Sequence, residues 1–220
     1  MNTLILLGIL FVLIVILAVL TRRMGMISTK RIVLSAVLIA LNIILTRLLA
    51  VNTQYLKINF SFVVLVVAAL YLGPVYAGVV NMIEDLIGPF VVAVGSFNPA
   101  FTITAFLRGL SYGLFLHPAS PVYKGLTSFG RNLARAFRVQ EGKRDTFALF
   151  FVSFVAGLVI NLVFSLVANT VILHYYFDIP YAVLIPPRVI NVALMIPLHT
   201  IMIPLISAKL MPQLSRLKLA

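Results

Sequence analysis

Polar residues punctuate this chain at intervals that leave apolar runs of membrane-spanning length between them. Leu4 to Leu20 is unbroken and closes at Thr21-Arg22-Arg23. Ile32 to Ala50 follows Lys30-Arg31, and Ile58 to Leu72 ends at Gly73-Pro74, a pair that stops helices. Val75 to about Val94 holds Glu84-Asp85 deep within it and Gly88-Pro89 as an expected break. Phe101 to Leu116 stops at His117-Pro118, Phe147 runs to about Leu173, and Arg188 runs to Leu210. A bilayer core needs about 20 apolar residues per helical span. The pattern therefore predicts an all-α integral membrane protein in two parts. An additional N-terminal transmembrane helix with a basic linker occupies 1–28, and a six-helix membrane domain occupies 29–220.

Composition agrees: 62% of residues are hydrophobic and 10% charged, where soluble domains run near a quarter charged. Tryptophan is absent, so tyrosine and phenylalanine must supply the interfacial aromatics. With no cysteine, disulfides, thiolate catalysis and thiolate metal sites are excluded.

The net charge of +12 changes meaning once it is located. Thirteen of the seventeen Lys and Arg residues fall at Arg22 to Arg31, in the hydrophilic stretch Ser120 to Thr146, or near the C-terminus at Lys209, Arg216 and Lys218. That is the positive-inside distribution and not a nucleic-acid-binding groove. It places the basic loops and the C-terminus in the cytoplasm and the N-terminus outside. Ser120 to Thr146 carries six cations and reads as an amphipathic helix on the anionic inner leaflet. The other four cations, Arg47, Lys57, Arg108 and Arg188, fall at outer helix ends, in an outer loop or within a helix. Together they suggest an outward-facing pocket for an anionic or electron-rich ligand. Arg47 alone reads equally as a snorkelling anchor or a ligand contact.

The stretch Gly73 to Pro118 concentrates features that hydrocarbon penalises: two adjacent acids, Arg108, and the polar-aromatic loop Gly95 to Phe101. It reads as a binding element, the alternative being a tight turn with one packing arginine. Adjacent helical positions point about 100° apart, so Glu84 and Asp85 face different neighbours, and Asp85 is expected to pair with Arg108 beneath the pocket. Ala36 and Ala40, four apart near the start of their helix, allow another helix to approach closely. Neither a GxxxxGK[ST] phosphate loop nor HExxH occurs, and His117, His174 and His199 are scattered, so no metal site is expected. Two other classes stay open: an intramembrane enzyme using Glu84, Asp85 and His199, and a purely structural subunit.

Phe60-Ser61-Phe62, Ala68 and Gly73-Pro74, Asp85-Leu-Ile-Gly88, Pro99 to Leu116, Asn169-Thr170, Pro187-Arg188 and Pro197 together resemble the folate-family S components of energy-coupling factor (ECF) vitamin transporters. The resemblance covers roughly residues 30 to 210. The chain departs from it at Ser96-Phe97-Asn98-Pro99-Ala100, where a Pro-Gly-Phe-Thr run is usual, and in its additional N-terminal helix. The resemblance implies a six-helix S-component bundle in a prokaryotic cell membrane. It implies no enzymatic activity and no cofactor, a small vitamin ligand, and membrane lipids as surroundings. Its protein partners would be a transmembrane coupling subunit, met through Ala36 and Ala40, and two ATP-binding subunits. The ligand would be captured from outside and delivered by toppling, with folate leading and pantothenate, pyridoxine or a hydroxymethylpyrimidine thiamin precursor following. Phe62, Phe97 and Phe101 would stack a flat ring. Asn59, Asn98, Arg47, Arg108 and Arg188 would read its polar edge or acidic tail.

Overall fold

The computed structural model describes Gly8, residues 28–52, 57, 58, 60–91 and 97–217, with backbone alone at 51, 52, 57, 58, 211 and 213–217. Apart from Gly8, the expected helix Leu4 to Leu20 lies outside the described residues, as do Asn59 and the loop head 92–96.

Helix α1, Thr29–Ile43, continues into a widened π-type turn, Ile44–Leu48. Between the expected spans ending at Ala50 and starting at Ile58, two-residue strands Val51–Asn52 and Lys57–Ile58 pair antiparallel. Four helices follow: α2 at Ser61–Leu72, α3 at Pro74–Val91, α4 at Pro99–Leu116 and α5 at Pro121–Ala136. Helix α6, Arg144–Ile160, passes through a second π-type segment, Asn161–Ala168, into α7, Asn169–Phe177, and α8 covers Tyr181–Leu217. Thr29–Leu48, Glu141–Phe177 and Tyr181–Leu210 are long and apolar enough to cross a membrane unaided.

Helix α2 is the hub. It is apolar on all sides, as a helix surrounded by others should be, and Val64, Leu65, Val66, Ala68, Ala69 and Leu70 are all buried. Leu38 of α1, Ala77 and Val80 of α3, Tyr112 and Leu116 of α4, Val152 and Ala156 of α6 and Ile203 of α8 join this core. At 12 residues α2 is only about 18 Å long, less than a hydrocarbon core of about 30 Å. Its first residues, Ser61 and Phe62, are nevertheless buried by protein, which is the condition for broken backbone at membrane depth. Between α2 and α3, Gly73 adopts φ 89, left-handed backbone that glycine enters without a Cβ penalty. The half-buried His117, just past α4, lies on the same turn. Its imidazole is held below the usual histidine range by burial first and then by the charge of Arg31.

Two boundaries differ from expectation. No break occurs at Gly88-Pro89; α3 runs on to Val91 with Pro89 inside it. A proline removes one backbone donor, and so near the helix end that loss leaves the preceding turns intact. The gap left between the expected spans ending at Leu173 and starting at Arg188 shrinks to Asp178, Ile179 and Pro180, with Asp178 in the left-handed region at φ 53. Pro186 and Pro187 lie within α8, where neighbouring helices can satisfy the freed carbonyls.

Candidate functional site

A polar ladder crosses the apolar bundle where α1, α3 and α4 meet. From α1, Thr46 donates its hydroxyl to Glu84 Oε1 at 2.6 Å, and Arg47 Nε lies 3.5 Å from the same oxygen. Both ionic side chains are sequestered, at 6% and 5% exposure. The widened turn at Ile44–Leu48 carries both Thr46 and Arg47, and irregular turns of this kind recur at functional sites. One turn along α3, Asn81 donates to the Ala105 carbonyl at 2.7 Å. Its Oδ1 accepts from Asn42 Nδ2 at 3.5 Å and Arg108 Nη2 at 3.4 Å. On the α4 side, Thr102 donates to Asp85 Oδ2 at 2.7 Å.

This geometry corrects the expected Asp85–Arg108 pair. Asp85 is held by Thr102 and Arg108 turns to Asn81, while the buried ion pair among the described residues is Arg47–Glu84. The cause is helical rotation: the adjacent acids face opposite neighbours, Glu84 toward α1 and Asp85 toward α4. The guanidinium of Arg47 is committed to Glu84 and lies over Gly88, where a Cβ would sit 2.5 Å from Nε.

The remaining candidates separate by environment. Asn98 is buried and caps α4, its Oδ1 accepting from the Ala100 N–H at 2.9 Å, the arrangement expected of asparagine at this position. Phe97 beside it is 39% exposed. Phe101 packs with Ala100, Ile172 and Tyr176, its ring 6.5 Å from that of Phe177. Phe62 is 4% exposed and packs against His199, ring centroids 4.3 Å apart and tilted by 38°, a core position and not an open aromatic face. His199 Nε2 shares a hydrogen bond with Tyr112 Oη (2.6 Å) while Nδ1 meets the Met195 carbonyl at 2.6 Å. Since a carbonyl only accepts, Nδ1 carries the proton and Tyr112 donates. Arg188 donates through Nη1 to the Ser165 carbonyl, within the second π-type segment. Its Nε, the Nε of Arg108, the Thr170 hydroxyl and the Tyr176 hydroxyl are buried without a hydrogen-bond partner. Ala36 and Ala40 are exposed on α1, beside Val37 and Leu41.

Asn42, Thr46, Asn81 and Thr102 were not singled out from sequence. Their signal was there: Asn42 and Thr46 stand four apart in an apolar helix, and Asn81 precedes Glu84 and Asp85 by three and four. Polar positions at that spacing form a stripe on one helical face. Thr170 and Tyr176 had no such pattern around them.

The chain matches the family described as "ECF-type riboflavin transporter, S component" over residues 26–208. A folate transporter, FolT, of Clostridium novyi (strain NT) is 27% identical over 144 residues, spanning 66% of this chain and 68% of that protein. The fold is similar to the crystal structure of FolT bound with folic acid, with TM-score 0.65 and 23% identity, covering 83% of this chain and 95% of the other. The match covers most of the six-helix region from α1 to α8, and this chain belongs to the ECF-type riboflavin transporter S-component family.

Proposed function

We propose that this chain is the ligand-capturing subunit of an ECF-type importer and that its ligand is a folate: a flat heterobicycle with an acidic tail. The observation that carries this reading is that Nε of Arg108 and Nε of Arg188 are buried with no hydrogen-bond partner and outside any ion pair among the described residues, whereas the third such nitrogen, Nε of Arg47, lies 3.5 Å from Glu84. A guanidinium edge suits a carboxylate, and each helix holds its arginine with one nitrogen while leaving another unused. The likeness to FolT supports the same choice. Phe97 and Phe101 supply aromatic faces at the α4 entrance. A second reading, a riboflavin-type ligand, is favoured by the family description. It offers a flat ring without a carboxylate, so the two readings part at the arginines.

Calorimetric titration of the purified chain with folate and with riboflavin tests this. Folate is expected to bind more tightly, and Phe97→Ala to weaken it roughly tenfold to a hundredfold through loss of an aromatic stack. Arg188→Ala should weaken folate by a similar factor and leave any riboflavin binding unchanged. Tighter riboflavin binding, or folate binding indifferent to both substitutions, would refute the folate reading. Asn98→Ala is a poor probe, because it removes a helix cap worth about 1 kcal/mol.

In this reading the basic end of the bundle faces the cytoplasm, residues 1–28 form a separate N-terminal helix and linker, and 29–220 form the binding domain. Uptake then depends on a coupling subunit and two ATP-binding subunits, and the chain topples in the membrane to release its ligand. The exposed α1 face around Ala36 and Ala40 is the docking surface for the coupling subunit. Ala36→Trp and Ala40→Trp should therefore leave folate affinity within about twofold and abolish vesicle uptake by the assembled transporter. Loss of ligand binding with the assembly intact would instead make that face part of the ligand-binding fold.

A further inference from the structure

We propose that the hairpin formed by α5 and the first turns of α6 is a docking surface for anionic lipid headgroups. It needs only that the hairpin lies at a membrane face and does not depend on which vitamin is bound.

The hairpin has three sides. Its inward side is small and close-packed: Gly130 and Ala134 are buried, and a Cβ on Gly130 would meet Ala148 Cα at 3.0 Å. A flank of α5 presents Val122 and Phe129, seven residues apart and both exposed, Phe129 at 56%. Phe129 rests on Phe151 of α6 with ring centroids 5.6 Å apart. Exposed Phe137, at 69%, follows the helix end. The third side is cationic.

Charge accounting on the hairpin gives the occupant. Its two acids are both engaged: Arg131 Nε donates to Asp145 at 2.7 Å, and Arg144 Nη1 to Glu141 at 2.8 Å. That leaves Lys124, Arg135, Arg138 and Lys143, all exposed, with no acidic side chain of the hairpin to balance them. Apolar aromatics beside cations match a bilayer interface, with rings at the acyl boundary and cations at the phosphates. The connection His117 to Ser120 is short and ties α5 directly to α4, so the hairpin stays at the end of the membrane bundle.

Arg138 adds an independent observation. Helix α5 ends with the Val139 N–H bonded to the Ala134 carbonyl at 2.9 Å, and Arg138 between them sits at φ 55. Glycine is the usual residue in this left-handed cap, because any side chain costs backbone strain. An arginine held there at that cost marks a place where its charge is used.

The test exploits the absence of tryptophan from the chain. Phe129→Trp, with Phe137→Trp as a parallel probe, provides a sole indole reporter in the full-length protein. The protein is reconstituted in vesicles of phosphatidylcholine and phosphatidylglycerol, one of the two brominated in turn. Brominated phosphatidylglycerol is expected to quench preferentially, with a relative association constant of about ten over phosphatidylcholine. Replacing Lys124, Arg135, Arg138 and Lys143 with glutamine should bring that ratio to within about twofold of one. Arg138→Gly alone should lower the ratio while raising the melting temperature by roughly 2–4 °C. Equal quenching, no quenching, or a ratio unmoved by the four substitutions overturns the proposal. So does a variant that keeps its ratio but no longer assembles with the energising subunits, since the cations would then serve a protein partner. An undiminished ratio in Arg138→Gly counts against it as well.

Discussion

Gly113→Leu is expected to prevent the bundle from forming, and even Gly113→Ala should destabilise it severely. Helices α3 and α4 cross with backbone against backbone: a Cβ on Gly113 would lie 2.1 Å from Pro74 Cα and 2.6 Å from Pro74 N. One turn earlier, a Cβ on Gly109 would lie 2.3 Å from the Ala77 carbonyl oxygen. Overpacking normally costs about 1–3 kcal/mol because side chains find other rotamers. Here the obstacle is backbone, which has no rotamer to change, so the helices must separate along their length. That separation would also move Asn81 off the Ala105 carbonyl and Arg108 off Asn81. Gly113→Ala should lower the melting temperature in detergent by about 10 °C or more, and Gly113→Leu should elute as aggregate. A Gly113→Ala protein that melts within about 2 °C of the parent would show that this crossing is looser than described.

Glu84→Ala should cost about 3–5 kcal/mol, the range for stranding one partner of a buried ion pair. Arg47 would keep its charge at 6% exposure with its acid gone. It could not swing toward solvent without vacating the slot above Gly88. Replacing both partners, as Arg47→Leu with Glu84→Leu, should recover stability to within about 1–2 kcal/mol of the parent. Buried pairs exchanged together for apolar residues are often neutral, and Thr46 retains the Asn42 carbonyl at 2.8 Å as an acceptor. The comparison is Asp145→Ala on the α5–α6 hairpin. Its pair with Arg131 is exposed at 51% and 80%, and its loss should cost under about 1 kcal/mol. Unfolding free energies from steric trapping would separate the three variants. Equal costs for Glu84→Ala and Asp145→Ala would mean that water reaches the Arg47 slot.

Much of this protein is legible in one dimension. Membrane class, the order of the spans and the amphipathic character of 121–136 follow from local composition and period, which a segment carries with it wherever it packs. The family resemblance was legible for the same reason, since it rests on runs such as Pro99 to Leu116. The Gly109-Leu-Ser-Tyr-Gly113 spacing carries a small-xxx-small signal as well, but only Ala36 and Ala40 were singled out for it from the sequence. Pairing was not legible. Glu84 and Arg47 stand 37 positions apart, and a shift of one residue around α3 would have handed Arg47 to Asp85. Which acid meets which base depends on the rotation and crossing of two helices, and neither helix's own sequence specifies its neighbour's position. The same holds for Phe62. The family resemblance gave it a ring-stacking role, but α2 is short and surrounded, so the ring lies against His199 in the core. The resemblance likewise implies a ligand contact at Asn98; only the backbone path into α4 shows it as a cap. Tertiary structure decided these assignments because each turns on the direction of one side chain relative to a distant segment.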